Sequence, residues 1–138
     1  MTDENEIRVH LAFTSSHTSP DEVTRVLGVK PNRTWLRGET ISGTKRQYSE
    51  NGWRLASGLD ASHGLEEHLL TLLTAIEPLA PKIAKLAERW DTEIGCVIYA
   101  SQYVPEMHFS PSVLRRLSDL GVDVDIDLYC LLEAEEQA

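Results

Sequence analysis

One order of signals occurs twice in this chain and constrains its fold more than anything else: an alternating strand, a Ser-Pro helix start and a Leu-Gly-Val stop. Ile7, Val9, Leu11 and Phe13 fall on one side of an extended segment, with Arg8, His10 and Ala12 on the other. That period of two is the pattern of a half-buried strand. Ser19-Pro20-Asp21-Glu22 then supplies an N-cap hydroxyl, a proline for the first helical position and an acid placed to close a capping box. Val23, Val26 and Leu27 face inward, and Gly28 ends the helix. The order returns late in the chain. Glu93 to Ala100 reads as a strand, Ser110-Pro111 opens a helix with Val113, Leu114, Leu117 and Leu120 inward, and Gly121 closes it. The last strand alternates Val122, Val124, Ile126, Leu128 and Cys130 against Asp123, Asp125, Asp127 and Tyr129.

Between the halves, Leu65, Leu69, Leu72, Leu73 and Ile76 recur at helical spacing, and Ile83, Leu86, Ala87 and Trp90 repeat the pattern over Lys82 to Trp90. Pro78 and Pro81 punctuate the joint, so the two helices form a hairpin. The strand from Glu93 is apolar on both faces, which predicts a central position. The order is β-α-β, a helical pair, then β-α-β. It predicts an α+β fold with a ferredoxin-like antiparallel sheet, the helical hairpin inserted at its middle and helices mainly on one face. In that order the last strand lies beside the first, with Arg8 and His10 across from the three aspartates. The rival is a mixed sheet in which residues 33–54 form an extra hairpin. Either way 138 residues make one domain, 1–138, with residues 1–5 and 133–138 as frayed tails.

Charge narrows the functional classes. The chain carries a formal −9 with a pI near 4.9, which opposes whole-surface binding to nucleic acid or anionic lipid. The opening MTDENEI has neither a basic nor an apolar leader region, and no apolar run reaches membrane-spanning length. A cytoplasmic protein is expected, with Cys96 and Cys130 as buried free thiols among apolar neighbours.

The charge is also uneven. Six of the thirteen basic residues lie between Lys30 and Arg54, a segment with only Glu39 and Glu50 as acids, so it carries +4 against −13 for the remainder. Pro31, Gly38, Gly43 and Gly52 make it loop and irregular strand, where functional residues concentrate. Its candidate binding residues are Arg33, Trp35, Arg37, Glu39, Arg46, Tyr48 and Trp53. Arg37 is suited to clamp a carboxylate or phosphate while a tryptophan stacks on an organic ring. Trp35 is the better candidate of the two, because Trp53 precedes Arg54-Leu55 in an alternating strand and points inward with Leu55. The bland alternative pairs Arg37 with Glu39 and makes Trp53 plain core.

Asp123, Asp125 and Asp127 form an acidic strip. Same-face positions on a strand stand about 7 Å apart, too far for three carboxylates to share one ion. The strip reads as a solvated face, or more sharply as a docking strip for a basic partner. His10, His17, His63, His68 and His108 show no metal-ligand spacing, so no metal site is expected. No nucleophile elbow, phosphate loop or dinucleotide fingerprint is present, so neither a catalytic residue nor a cofactor is assigned.

Short motifs along nearly the whole chain resemble the bacterial domain-of-unknown-function family DUF4279: Ser19-Pro20, Leu27-Gly28-Val29-Lys30-Pro31, Arg37-Gly38-Glu39, Trp53 with Leu55 and Ser57, Leu65-Glu66-Glu67-His68-Leu69, and Leu120-Gly121 through Ile126-Asp127-Leu128-Tyr129. The resemblance implies a stand-alone bacterial domain of shared fold and brings no activity with it. The function expected is a non-catalytic binding module for another macromolecule, immunity-like or regulatory. The alternative, from a different class, is binding of, or modest chemistry on, a small anionic metabolite at the basic and aromatic loop 30–54.

Overall fold

A computed structural model describes residues 4–132. The chain is α+β, with a five-stranded, mostly antiparallel sheet in the order β2-β3-β1-β4-β5. The strands are β1 (Glu6–Ser15), β2 (Arg33–Trp35), β3 (Asn51–Ala56), β4 (Asp91–Ala100) and β5 (Asp123–Cys130). Between them lie α1 (Asp21–Leu27), α2 (Leu65–Ile76), a 3-10 turn (Glu77–Leu79), α3 (Ala80–Ala87) and α4 (Pro111–Leu120).

The alternation in β1 does what its period requires. Ile7, Val9, Leu11 and Phe13 are all buried and join Trp53 of β3, Ile94, Cys96 and Ile98 of β4 and the inward residues of the helices in one core. Each such side chain contributes about 1.5–3 kcal/mol on leaving water. Phe13 packs edge-on against Trp53 at 5.6 Å and against Trp90 at 6.5 Å. The Trp53 indole N–H donates to Thr24 Oγ1 at 3.0 Å and ties β3 to α1. Both helix stops behave alike: Gly28 and Gly121 adopt φ of 73° and 74°, the left-handed conformation that favours glycine. Ser110 caps α4 by accepting from the Val113 N–H, whereas Ser19 accepts from Asp21 N–H just ahead of α1 and Pro20 holds the cap position.

The strand order departs from the ferredoxin-like one and follows the rival mixed arrangement. β1, α1 and β2 form a crossover that returns the chain in its original direction, and the hairpin then lays β3 antiparallel between β2 and β1. β3 and β4 therefore take both edges of β1, and β5 pairs with β4 instead. It runs parallel to β4, as a single-helix crossover requires. Arg8 and His10 consequently do not lie across from the aspartates, because β4 stands between them, and Arg8 pairs with Glu6 on its own strand.

Other corrections concern exposure. Leu114 and Cys130 are exposed rather than inward: Leu114 falls outside the buried stripe of Val113, Leu117 and Leu120 on α4, and Cys130 lies on the exposed edge strand β5. Asn5 is tied down: its side chain donates to Tyr103 O and accepts from the N–H groups of Ser101 and Gln102. Residues 1–3 and 133–138 of the expected tails lie outside the described residues.

Candidate functional site

The core cluster occupies the helix-covered side of the sheet, so every second strand residue points to the opposite, open face. One row of that face crosses all five strands. Arg33 is the register partner of Arg54, Arg54 of Ala12, Ala12 of Glu93, and Glu93 of Asp123. The row thus reads positive, positive, neutral, negative, negative. The next row, Ala56, His10, Gly95 and Asp125, is small or neutral until it meets β5.

Small residues on the floor let large ones lie flat. A Cβ at Gly52 would overlap the Trp35 indole, and one at Gly95 would overlap the His10 ring. Trp35 is consequently only 7% exposed despite sitting on the three-residue β2. Tyr48 stacks on it at 5.1 Å. The Arg33 and Arg54 guanidiniums stand 5.8 and 5.3 Å from the Trp35 ring centre, and Arg33 also donates to the Tyr48 hydroxyl at 2.6 Å.

Tyr48 reaches Trp35 because residues 36–50 form a protruding finger. Its rungs are the Gly38 N–H to Tyr48 O, Tyr48 N–H to Glu39 O and Ile41 N–H to Arg46 O hydrogen bonds. Asn51 anchors the base, accepting from the Arg37 N–H at 2.7 Å and donating to Thr18 O. Of the residues expected to bind, Arg33, Trp35 and Tyr48 converge, while Arg37, Glu39 and Arg46 are strung along the exposed finger. Arg37 and Glu39 make no ion pair with each other among the described residues. Trp53 is core on the far face, as its alternation with Arg54 and Leu55 implies, and cannot join the site. The same alternation was the available signal for Arg54, which belongs with Arg33.

The electrostatics follow from the row. Burial, then the neighbouring Arg33, pulls the Arg54 guanidinium below its ordinary value. Burial and then Arg54 lower His10 to about 4, so it is neutral at pH 7. At the other end burial, then Asp125, Asp127 and Asp123, raises Glu93. Like charges crowd at both ends of the face. Among the described residues no group of three or more histidines, cysteines or acids is placed to hold a metal ion. No helix is long and apolar enough to cross a membrane.

β5 closes the acidic end. All eight of its residues are exposed. Val124, Ile126 and Leu128, the partners of Ile94, Cys96 and Ile98, remain 40–44% exposed on the helix side. Among the described residues no strand pairs with its outer edge.

Fold and site together define a two-layer α+β domain, helices on one side of a single sheet, whose other side bears a charge-polarised open face that ends in a bare edge strand. The chain belongs to the family described as Domain of unknown function (DUF4279), which it matches over residues 5–131. No curated protein and no solved structure matches it.

Proposed function

We propose that this domain is a non-catalytic binding module for another macromolecule, immunity-like or regulatory, and that it binds through β5 by accepting an extended strand of its partner. The observation that carries the reading is the exposure of β5 on both faces next to a free edge. A bare edge strand is a template for strand addition, in which backbone hydrogen bonds give affinity and alternating side chains give specificity. Here the alternation specifies the partner: basic residues opposite Asp123, Asp125 and Asp127, and apolar ones beside Val124, Ile126 and Leu128. A second copy of the chain is a poor occupant, since antiparallel pairing of two β5 strands in this register sets aspartate against aspartate.

Two peptides of the length of β5, one alternating lysine with valine and the other glutamate with valine, test this. The lysine peptide is expected to protect β5 amides from hydrogen exchange, to bind more weakly as salt rises, and to lose binding to Asp125→Lys and Ile126→Lys proteins. If neither peptide protects β5, or both protect it equally, the reading fails.

A further inference from the structure

We propose that Arg33 and Arg54 form an oxyanion site on the open sheet face, taking the carboxylate or phosphate group of a small ligand beside the Trp35–Tyr48 stack. The site lies at the opposite end of the sheet from β5 and stands or falls independently of strand addition. It also differs from a loop site, because it leaves out the finger arginines, Arg37 and Arg46.

The two guanidiniums lack an anionic partner among the described residues. Arg33 and Arg54 are register partners across β2 and β3, so two positive charges face each other on one surface, an arrangement that disfavours folding unless something offsets it. Neither has a carboxylate in ion-pair range among the described residues. The nearest acid of the row, Glu93, is two strands from Arg54, about 10 Å at ordinary strand spacing. The aromatic rings hold the guanidiniums by cation–π contact, which leaves N–H donors unanswered. Arg54 Nε is buried and has no hydrogen-bond partner, an uncommon state for so strong a donor. An oxyanion accepting from the terminal N–H groups of both guanidiniums cancels the repulsion between them.

The surroundings suit such a ligand. Ala12, the β1 partner of Arg54, adds only a methyl group beside it, and Tyr48 stacked on Trp35 borders the site. His10, diagonal to Arg54 across β1 and β3, is neutral and able to offer or accept a proton from a polar ligand group.

His10 also gives the site a reporter. A bound anion screens it from Arg54, so its titration midpoint must rise on binding. The test adds inorganic phosphate, and separately malonate, to the wild-type domain at constant ionic strength, following the Arg54 Nε–Hε and His10 ring resonances by NMR. A saturable shift of Arg54 Nε–Hε is expected at neutral pH, and the His10 midpoint should rise by about one pH unit. Arg54→Gln should abolish the anion-dependent His10 shift and Arg33→Gln weaken the response, while Arg37→Gln and Arg46→Gln leave it intact. A response to one anion alone tells a phosphate site from a carboxylate site. The proposal is overturned if neither anion moves Arg54 and His10 in the wild type, or if the response survives Arg54→Gln.

Discussion

Ser57 Oγ and His68 Nδ1 stand 2.6 Å apart in the buried joint between β3 and α2. Both residues lie in motifs that the family resemblance rests on, and the structure joins them. Ser57 Oγ also accepts from the Leu59 N–H, which directs its own proton toward Nδ1. Burial, then the nearby His63, lowers the His68 pKa and so favours the neutral ring. A serine–histidine pair invites a catalytic reading, but here both side chains are packed inside the fold. Their role is to clasp the strand end to the helix start. Ser57→Ala leaves a buried ring nitrogen without its partner and should cost about 1–3 kcal/mol in chemical denaturation. A variant as stable as the wild type would show that the clasp adds nothing.

The close approach of Trp35 to Gly52 gives a second prediction. Alanine at position 52 has no room while the indole lies flat, so Gly52→Ala must lift Trp35 off the sheet. The expected loss is roughly 1–3 kcal/mol, the usual range for overpacking. Trp35 emission should shift to the red as the ring meets water, whereas a protein of unchanged stability and emission would contradict the packing.

Acid should destabilise the domain through His10. The folded protein holds this ring neutral down to about pH 4, while in the unfolded chain it protonates near 6.5. Between those values the unfolded chain carries a proton that the folded chain refuses, so stability is full above pH 6.5 and falls as the pH drops. The loss reaches about 3 kcal/mol once pH 4 is passed. His68 shifts in the same direction, so His10→Gln should flatten the stability curve in this window without abolishing its slope. Parallel curves for the two proteins would remove His10 as the cause.

The two thiols should separate cleanly. Burial pushes the Cys96 thiol up to about 12 and removes it from solvent, while Cys130 is exposed on β5. A disulfide-exchange reagent should therefore titrate one thiol per native chain, and Cys130→Ser should abolish that reaction. Denaturant should release the second. Reaction of both thiols at the same rate in the native protein would contradict the burial of Cys96.

Much of this architecture is legible in the residues. The alternation of Ile7 to Phe13, the Ser-Pro starts and the Leu-Gly stops locate β1, α1 and α4, and the leucine spacing from Leu65 locates α2. Trp53 is recognisably core from its place in an alternating strand. The candidate site is legible only in part. Arg33, Trp35 and Tyr48 stand out as basic and aromatic residues of one segment, but the same segment presents Arg37, Glu39 and Arg46 equally. Composition cannot tell a residue on the sheet from one on a protruding finger.

What the sequence determined by itself is therefore most of the elements and, for β1, β3 and α2, the side that faces the core, because that information is local and written in periods of two and 3.6 residues. Which strands become neighbours was decided only in the tertiary structure. The pattern of β5 is the same whether it pairs with β1 or β4, and the outcome depends on β3 and β4 occupying both edges of β1. That competition between segments far apart in the chain placed Arg54 against Arg33, put β4 between the aspartates and β1, and left β5 as the bare edge.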